Sequence, residues 1–435
     1  MKWYAGALMV LVVALFFGLG ALAFAMYVLL AMLVVSRLLA RHWIENLSAL
    51  RECSRLTAQI GDRVAVIVEI HNRSRLPIPW VLLEDMLPRR PLAERPPRLS
   101  VLGKRLKLAT LRGQGRATLR YQLQFNARGY YQLGPLILET GDLFGLHRRY
   151  RVATKPHFVL VYPRVVPITG YDIASRRPIG EVRITHRLFE DPTRISGIRE
   201  YQPGDALNRI HWRATARTLT LQSKTYDPST VIGATLLVDF HRASYPPRHE
   251  PNRSELVVTC AASLALAISL SGQQLGLVTN GRDTAERIRR EGWEHDFRTR
   301  QAALASAAGQ DDDGRTGPVI VPTRRGAERF SRILETLARL ELADELTLTQ
   351  LVHGTASRLP RDATVIAVLG TVSETTAASL AQLKRRGYAV TAFFVEYEQV
   401  QALDASRRFL AAGIEARRVS SEEMLAEMCG ERIVW

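Results

Sequence analysis

The first 36 residues set the chain's strongest pattern. From Trp3 to Ser36 there are 34 residues without a charge, bounded by Lys2 and Arg37. One straight helix of that length would run about 50 Å, well beyond the ~30 Å hydrocarbon core of a bilayer. Gly18-Leu19-Gly20 divides the run into halves of roughly 15 to 18 residues, each able to cross with local thinning. The pattern predicts a transmembrane helical hairpin over residues 1–40. Ala21-Leu22-Ala23 imitates a signal-peptide cleavage site, yet apolar sequence continues through Phe24 to Val35, where a cleaved leader would give way to polar residues. Arg37, Arg41, Arg51 and Arg55 follow. Under the positive-inside rule they put the bulk of the chain in the cytoplasm, anchored in the inner membrane and touching its lipids through the hairpin.

Past the anchor the period falls to two. Residues 60–70 partly alternate and are β-branched, predicting a strand reached through a Gly61-Asp62 turn, with a further turn at His71 to Ser74. Trp80 to Leu83, Ala117 to Phe125 and Tyr130 to Glu139 read as further strands. Pro88, Pro91, Pro96 and Pro97 make the intervening stretch an irregular loop. Short strands with Gly and Pro punctuation predict a β-sandwich over 41–165. From 231 to 435 the rhythm changes to strands alternating with helices, which predicts an α/β doubly wound parallel sheet. Its strands are expected at 235–240, 275–279, 319–321, 364–369 and 388–395. Helices are expected from Ser254, as cap, to Gly272, from 326 to 342, and near 374–386. Residues 310–317 form a polar loop without the glutamate of a calcium-binding hand.

Composition narrows the classes. Of 435 residues, 47% are hydrophobic and 23% charged, which excludes wholesale disorder. Three distant cysteines (Cys53, Cys260, Cys429) exclude a disulfide framework and a zinc-thiolate site and fit a reducing compartment. Lys and Arg number 59 against 42 acidic residues, a net charge of +17 that favours anionic partners. Nucleic acid is not expected among them, since clustered stacking aromatics and reading motifs are missing and much of the charge can serve topology.

Much of that charge sits in a signature segment joining the two domains, 166–230. Residues 176–224 hold ten basic side chains (Arg176, Arg177, Arg183, Arg187, Arg194, Arg199, Arg209, Arg213, Arg217, Lys224) against Glu181, Glu190, Asp191, Glu200 and Asp205. Pro203-Gly204 suits a tight turn, and Asp205 a cap for a helix starting at Ala206. On that helix Leu207, Ile210 and Ala214 share one face, while Arg209, Arg213 and Arg217 line another. Two readings stay open: a solvated face with ordinary ion pairs, or an arginine comb that docks on carboxylates or phosphates. For His211 and Trp212 a hydrogen-bonded histidine and a packing indole are expected over a catalytic base and a stacking platform. Tyr201 to Asp205 could equally brace the junction of two domains.

Gly197-Ile198-Arg199-Glu200-Tyr201-Gln202-Pro203-Gly204-Asp205, followed by Arg209-Ile210-His211-Trp212-Arg213-Ala214-Thr215-Ala216-Arg217, resembles the signature of the bacterial family called domain of unknown function 58. Arg128 to Pro135 and Asp142 to Leu146 look like the same family, as does the order of parts. The resemblance implies a von Willebrand factor A-like C-terminal domain over 231–435. It also implies a MoxR-type AAA+ ATPase as partner, in systems that assist assembly or maturation of other proteins. Von Willebrand A domains hold a divalent cation with Asp-x-Ser-x-Ser after the first strand. The corresponding residues here are Asp239, His241 and Ala243, with Ser244 one place out of register, and the later strand ends Leu369-Gly370-Thr371-Val372-Ser373 without an aspartate. Asp239 is therefore read as a relic, capping its loop or pairing an arginine, and no metal or cofactor is expected. His241 and His249-Glu250 lack metal-ligand spacing. Walker, Gly-x-Ser-x-Gly and Gly-x-Gly-x-x-Gly motifs are missing from the sequence, so no catalytic residue is assigned and an enzyme is not expected. The leading expectation is a membrane-anchored adaptor; its rivals are a lipid- or nucleic-acid-binding protein and an unrecognised envelope hydrolase.

Overall fold

The computed structural model describes residues 2–142, 145, 147–168, 190–202, 210–228, 233–291, 317–360 and 363–427. They fall into two compact units: the described residues of 2–164 with 282–291 and 334–341, and those of 165–281, 317–333 and 342–427.

The first unit begins with two apolar helices, α1 (Lys2–Phe16) and α2 (Gly20–Glu45), joined through Gly18 at a left-handed φ of +66° that glycine adopts without strain. Leu11, Ala14 and Ala23 form a small seam between them. Phe16, Phe24, Val28 and Val35 stay exposed, a surface suited to lipid. The Tyr4 hydroxyl donates to the Leu33 carbonyl at 2.9 Å and sits 3.0 Å from His147 Nε2; Ser36 Oγ sits 3.2 Å from Nδ1 of the same ring. Both ends of the apolar run therefore meet at one level, as a hairpin requires. Beyond Ser36, α2 enters the next layer: Trp43 and Ile44 belong to its core, and Arg151 Nη1 donates to the carbonyls of Ile44, Glu45 and Leu47. A cation there satisfies the helix's last carbonyls and opposes its dipole.

That layer is antiparallel β. Its strands are β1 (Leu47–Cys53), β2 (Thr57–Gln59), β3 (Arg63–Asn72) and β4 (Ile78–Asp85), then a short helix α3 (Arg89–Ala93). There follow β5 (Leu99–Gly103), β6 (Leu106–Leu111), β7 (Arg116–Phe125), β8 (Gly129–Leu133), β9 (Leu136–Gly141), β10 (Arg148–Thr154) and β11 (His157–Tyr162). Two four-stranded sheets, β1-β3-β7-β5 and β10-β9-β4-β6, and a three-stranded sheet, β2-β11-β8, turn their alternating apolar faces onto one core. Val64, Val66, Val68 and Ile70 are its clearest stripe, fully buried at every second position.

Two details differ from the sequence pattern. The run from Tyr130 to Glu139 is two strands in different sheets. Gly134, at φ +88°, turns the chain, and a Cβ there would lie 2.4 Å from the buried Arg51 guanidinium. Pro135, lacking an N–H, cannot continue the ladder. The proline-rich loop also contains one helical turn, with Pro91 in its first turn, where no backbone donor is needed.

The second unit holds an antiparallel ribbon, β12 (Glu190–Glu200) with β13 (Gln222–Pro228), and the short helix α4 (Trp212–Thr218) between them. A six-stranded sheet follows, from β14 (Gly233–Val238), β15 (Gln274–Thr279), Val319–Arg324, Ala363–Leu369, Val390–Val395 and Glu415–Val419. Numbered along the chain, the spatial order is 3-2-1-4-5-6, and all neighbours are parallel except the edge strand Val319–Arg324. This is an α/β region with one antiparallel edge rather than a purely parallel sheet. Leu237, Val365, Ala367 and Phe394 face a core shared with helices Leu348–Thr355, Glu374–Arg385 and Gln399–Ala411. The opposite face is covered by α5 (Asn252–Leu270), which packs on β14, β15 and the strands Ala363–Leu369 and Val390–Val395.

Helix α5 ends before Gly272 as expected, but its first turn is capped differently. The Glu250 carboxylate, not Ser254, accepts, taking the Ser254 N–H at 3.1 Å and its hydroxyl at 2.6 Å. The strand Glu415–Val419 was not legible because Arg417, Arg418 and Glu415 interrupt any apolar run; it is an edge strand with one neighbour.

Candidate functional site

The signature segment builds a small unit of its own. Ile198, Arg199 and Glu200 of β12 lie opposite Lys224, Ser223 and Gln222 of β13. The Tyr201 N–H donates to the Leu221 carbonyl at 2.8 Å, and Ile210 bridges to Ser223, where both are buried. Ile210 is held in that bridge and the described helix runs from Trp212; the expected start at Ala206 lies outside the described residues. Its cap is His211, whose Nδ1 accepts the Ala214 N–H at 3.0 Å and whose own N–H donates to Gln222 at 2.8 Å. Accepting at Nδ1 requires that nitrogen unprotonated, so the ring is held as a structural cap. Pro203, Gly204, Asp205, Leu207 and Arg209 lie outside the described residues, as does the loop at 310–316.

Helix α4 buries none of its residues. It is held by caps and ribbon contacts, including the Gln222 N–H donating to Thr215 Oγ1 at 3.0 Å. Arg213 and Arg217 are exposed four residues apart. Trp212, expected to pack, is 69% exposed: with no buried face on its helix it has nothing to pack into. Leu219 follows at 91% exposure with φ +59°, a conformation costly for a branched side chain, and its N–H closes the helix on Thr215. Ile198 and Leu221 are exposed as well. Sequence reasoning missed these three, because an isolated Leu or Ile reads as core. Arg199 is exposed and donates to the Glu200 carbonyl.

A second group lies at the carboxyl end of the sheet, where open α/β sheets bind ligands. Asp239, buried, takes the Asn280 amide at 2.8 Å and the His241 N–H on Oδ1, and the Ser244 hydroxyl at 2.7 Å on Oδ2. Ser244, one place out of register in sequence, thus reaches the carboxylate after all. The carboxylate is thus held by side-chain and backbone donors of its own loop and of the neighbouring strand end. Among the described residues no three His, Cys, Asp or Glu side chains cluster as metal ligands. Nearby, Arg253 is buried and donates to Glu396 at 2.7 Å, leaving Nε and Nη1 without a hydrogen-bond partner.

In the first unit Arg51 and Asp85 form a fully buried ion pair, completed by the Tyr121 hydroxyl on Asp85 at 2.6 Å and by the carbonyls of Leu133 and Lys155 on the guanidinium. In the folded protein Arg51 is thus internal rather than a lipid-facing topology charge. Arg128 donates to the carbonyls of Leu337 and Leu340, and Asp142 accepts the His147 N–H. Cys53 Sγ lies 3.8 Å from His157 Nδ1. Burial raises the thiol and, with Arg51, lowers the imidazole, so both favour their neutral forms, opposite to a thiolate–imidazolium nucleophile.

Residues 197–317 match the family model described as protein of unknown function DUF58, so the end of β12, the helix α4 and β13 fall in its first part. A Bacillus subtilis (strain 168) protein, "Uncharacterized protein YeaD", is 25% identical over 261 residues, 60% of this chain and 62% of its own length. The chain thus spans about three-fifths of that relative. Among solved structures, the CARDB domain of a Pyrococcus furiosus protein is 10% identical, covering 26% of this chain and 91% of its own, at TM-score 0.18. The Bacillus subtilis sporulation control protein Spo0M is 9% identical, covering 27% and 49%, at TM-score 0.16. Scores that low carry no argument about this fold.

Proposed function

Taking the chain as a DUF58 protein, we propose that it is a membrane-anchored docking protein whose second unit presents the signature segment to an acidic surface of a MoxR-type AAA+ ATPase. The observation that carries this reading is α4. A helix that buries nothing, yet displays Trp212 and Leu219 beside Arg213 and Arg217, contributes no core to its own fold. Aromatic and arginine side chains of that kind are the usual anchors of protein interfaces. The strand order 3-2-1-4-5-6 with one antiparallel edge supports a von Willebrand factor A-like domain. The apolar helix pair, with Arg37 and Arg41 in the last turns of α2, supports an inner-membrane anchor with both units in the cytoplasm.

The test uses the full chain in membranes. Arg213→Glu with Arg217→Glu, and separately Trp212→Ala, should weaken capture of the ATPase by about tenfold or more. Thermal unfolding should stay within about 0.5 kcal/mol of wild type, because the three positions are exposed. Undiminished capture by both variants would refute the surface.

A further inference from the structure

The membrane-proximal end of the sandwich gathers arginines that the fold does not use. Resting on the anchor reading above, we propose that this end is a lipid-binding collar seated on anionic phospholipid headgroups.

Its level follows from α2. Tyr4 and Ser36, joined through His147, mark where the apolar run ends. Six residues on, His42 Nε2 lies 2.9 Å from Ser74 Oγ in the β3–β4 turn. At ~1.5 Å per residue that turn lies about 9 Å beyond Ser36, while the headgroup layer extends ~5–8 Å past the hydrocarbon. An extended arginine side chain spans the remainder.

A second turn, β6–β7, is stitched to the first. The Gln114 N–H donates to Ser74, the Asn72 N–H to Gly115, and the Asn72 amide to both Arg112 and Leu76. The two approach so closely that a Cβ on Gly113 would lie 2.0 Å from the Arg75 carbonyl oxygen. The pair of turns is therefore one rigid edge and not two loose loops. It carries Arg73, Arg75, Arg112 and Arg116, all exposed, with Leu76 exposed between them. Among the described residues no carboxylate pairs with any of the four. The only acidic side chain facing this end from α2, Glu45, is taken by Arg41 at 2.8 Å. Four unpaired guanidiniums around a leucine, on the rim from which the membrane helix emerges, match a surface of phosphates over acyl chains. A protein partner at this level would have to displace the headgroups first.

Amide hydrogen exchange of the full chain, reconstituted in vesicles, tests the collar. One set of vesicles is phosphatidylcholine alone and the other contains phosphatidylglycerol in both leaflets, so insertion in either direction presents the same lipid. Residues 73–77 and 112–116 should exchange about fivefold more slowly over phosphatidylglycerol. High salt should abolish the difference. So should Arg73→Gln combined with Arg75→Gln, Arg112→Gln and Arg116→Gln, with β3 and β7 still protected as in wild type. Equal exchange in both vesicles, for wild-type chain that resists carbonate extraction, overturns the collar and leaves the anchor standing. Loss of wild-type chain to carbonate overturns the anchor, and the collar with it. If the four-fold variant loses protection in β3 and β7, the salt series on wild-type chain decides instead.

Discussion

Among the described residues two helices are long and apolar enough to cross a membrane, and they end up in opposite surroundings. Helix α2 leaves most of its apolar side chains, Phe24, Val28 and Val35 among them, without a protein neighbour. Helix α5 is buried along nearly its whole length, with Val257, Ala261, Leu264 and Ile268 fully covered by the sheet. Both are apolar, α2 the more so; what covers them differs in kind. Around α5, the strands on either side of β14 supply the apolar layer, and polar Glu250 and Arg253 fix its start. Around α2, among the described residues, α1 covers its seam and the sandwich its last turns. Helix hydrophobicity marks a segment that must leave water without saying which medium receives it.

The contrast can be broken most severely inside α5. Ala261→Asp puts a carboxylate at a fully buried position, and should remove about 4 kcal/mol or more of stability from the second unit, read by thermal or denaturant unfolding. The equivalent insult to α2 should behave differently. Val28→Asp should weaken membrane insertion by about 2.5–3.5 kcal/mol, seen as carbonate-extractable chain, while unfolding of the sandwich stays put. Were the sandwich to unfold as well, α2 would be a core helix and the contrast would vanish. The smallest effect is at the hand-over between anchor and sandwich. Arg151→Ala leaves the carbonyls of Ile44, Glu45 and Leu47 without their cation and should lower stability by about 1–2 kcal/mol, checked by calorimetry of the full chain in detergent.

Elements with a local cause were legible. The hairpin is announced by a charge-free run cut at Gly18, and the sheet strands by compact apolar runs such as Thr235 to Val238. Elements with a non-local cause were not. The break at Gly134-Pro135 is written in the chain, but that its two sides join different sheets depends on which strands arrive beside them. Ile210 looked helical because its spacing fits, and it became a bridge because Ser223 was there to pair with it. Trp212 was expected to pack, and is exposed because α4 has no layer to lie on. In the candidate site the exposure of Arg213 and Arg217 was expected from their spacing, whereas its apolar members emerged only with the fold.

By itself, then, the sequence determined which segments must be withdrawn from water, where the chain turns, and that the anchor is followed by positive charge. Those are properties of neighbours along the chain, set by side-chain hydrophobicity, glycine's freedom and proline's missing donor. Only the tertiary structure decided what covers each apolar face, and that Asp239 meets Ser244 and Asn280. It alone joined the turns carrying Arg73, Arg75, Arg112 and Arg116 into one edge. These depend on pairings between residues tens of positions apart, and a local pattern holds no record of which distant partner will pack against it.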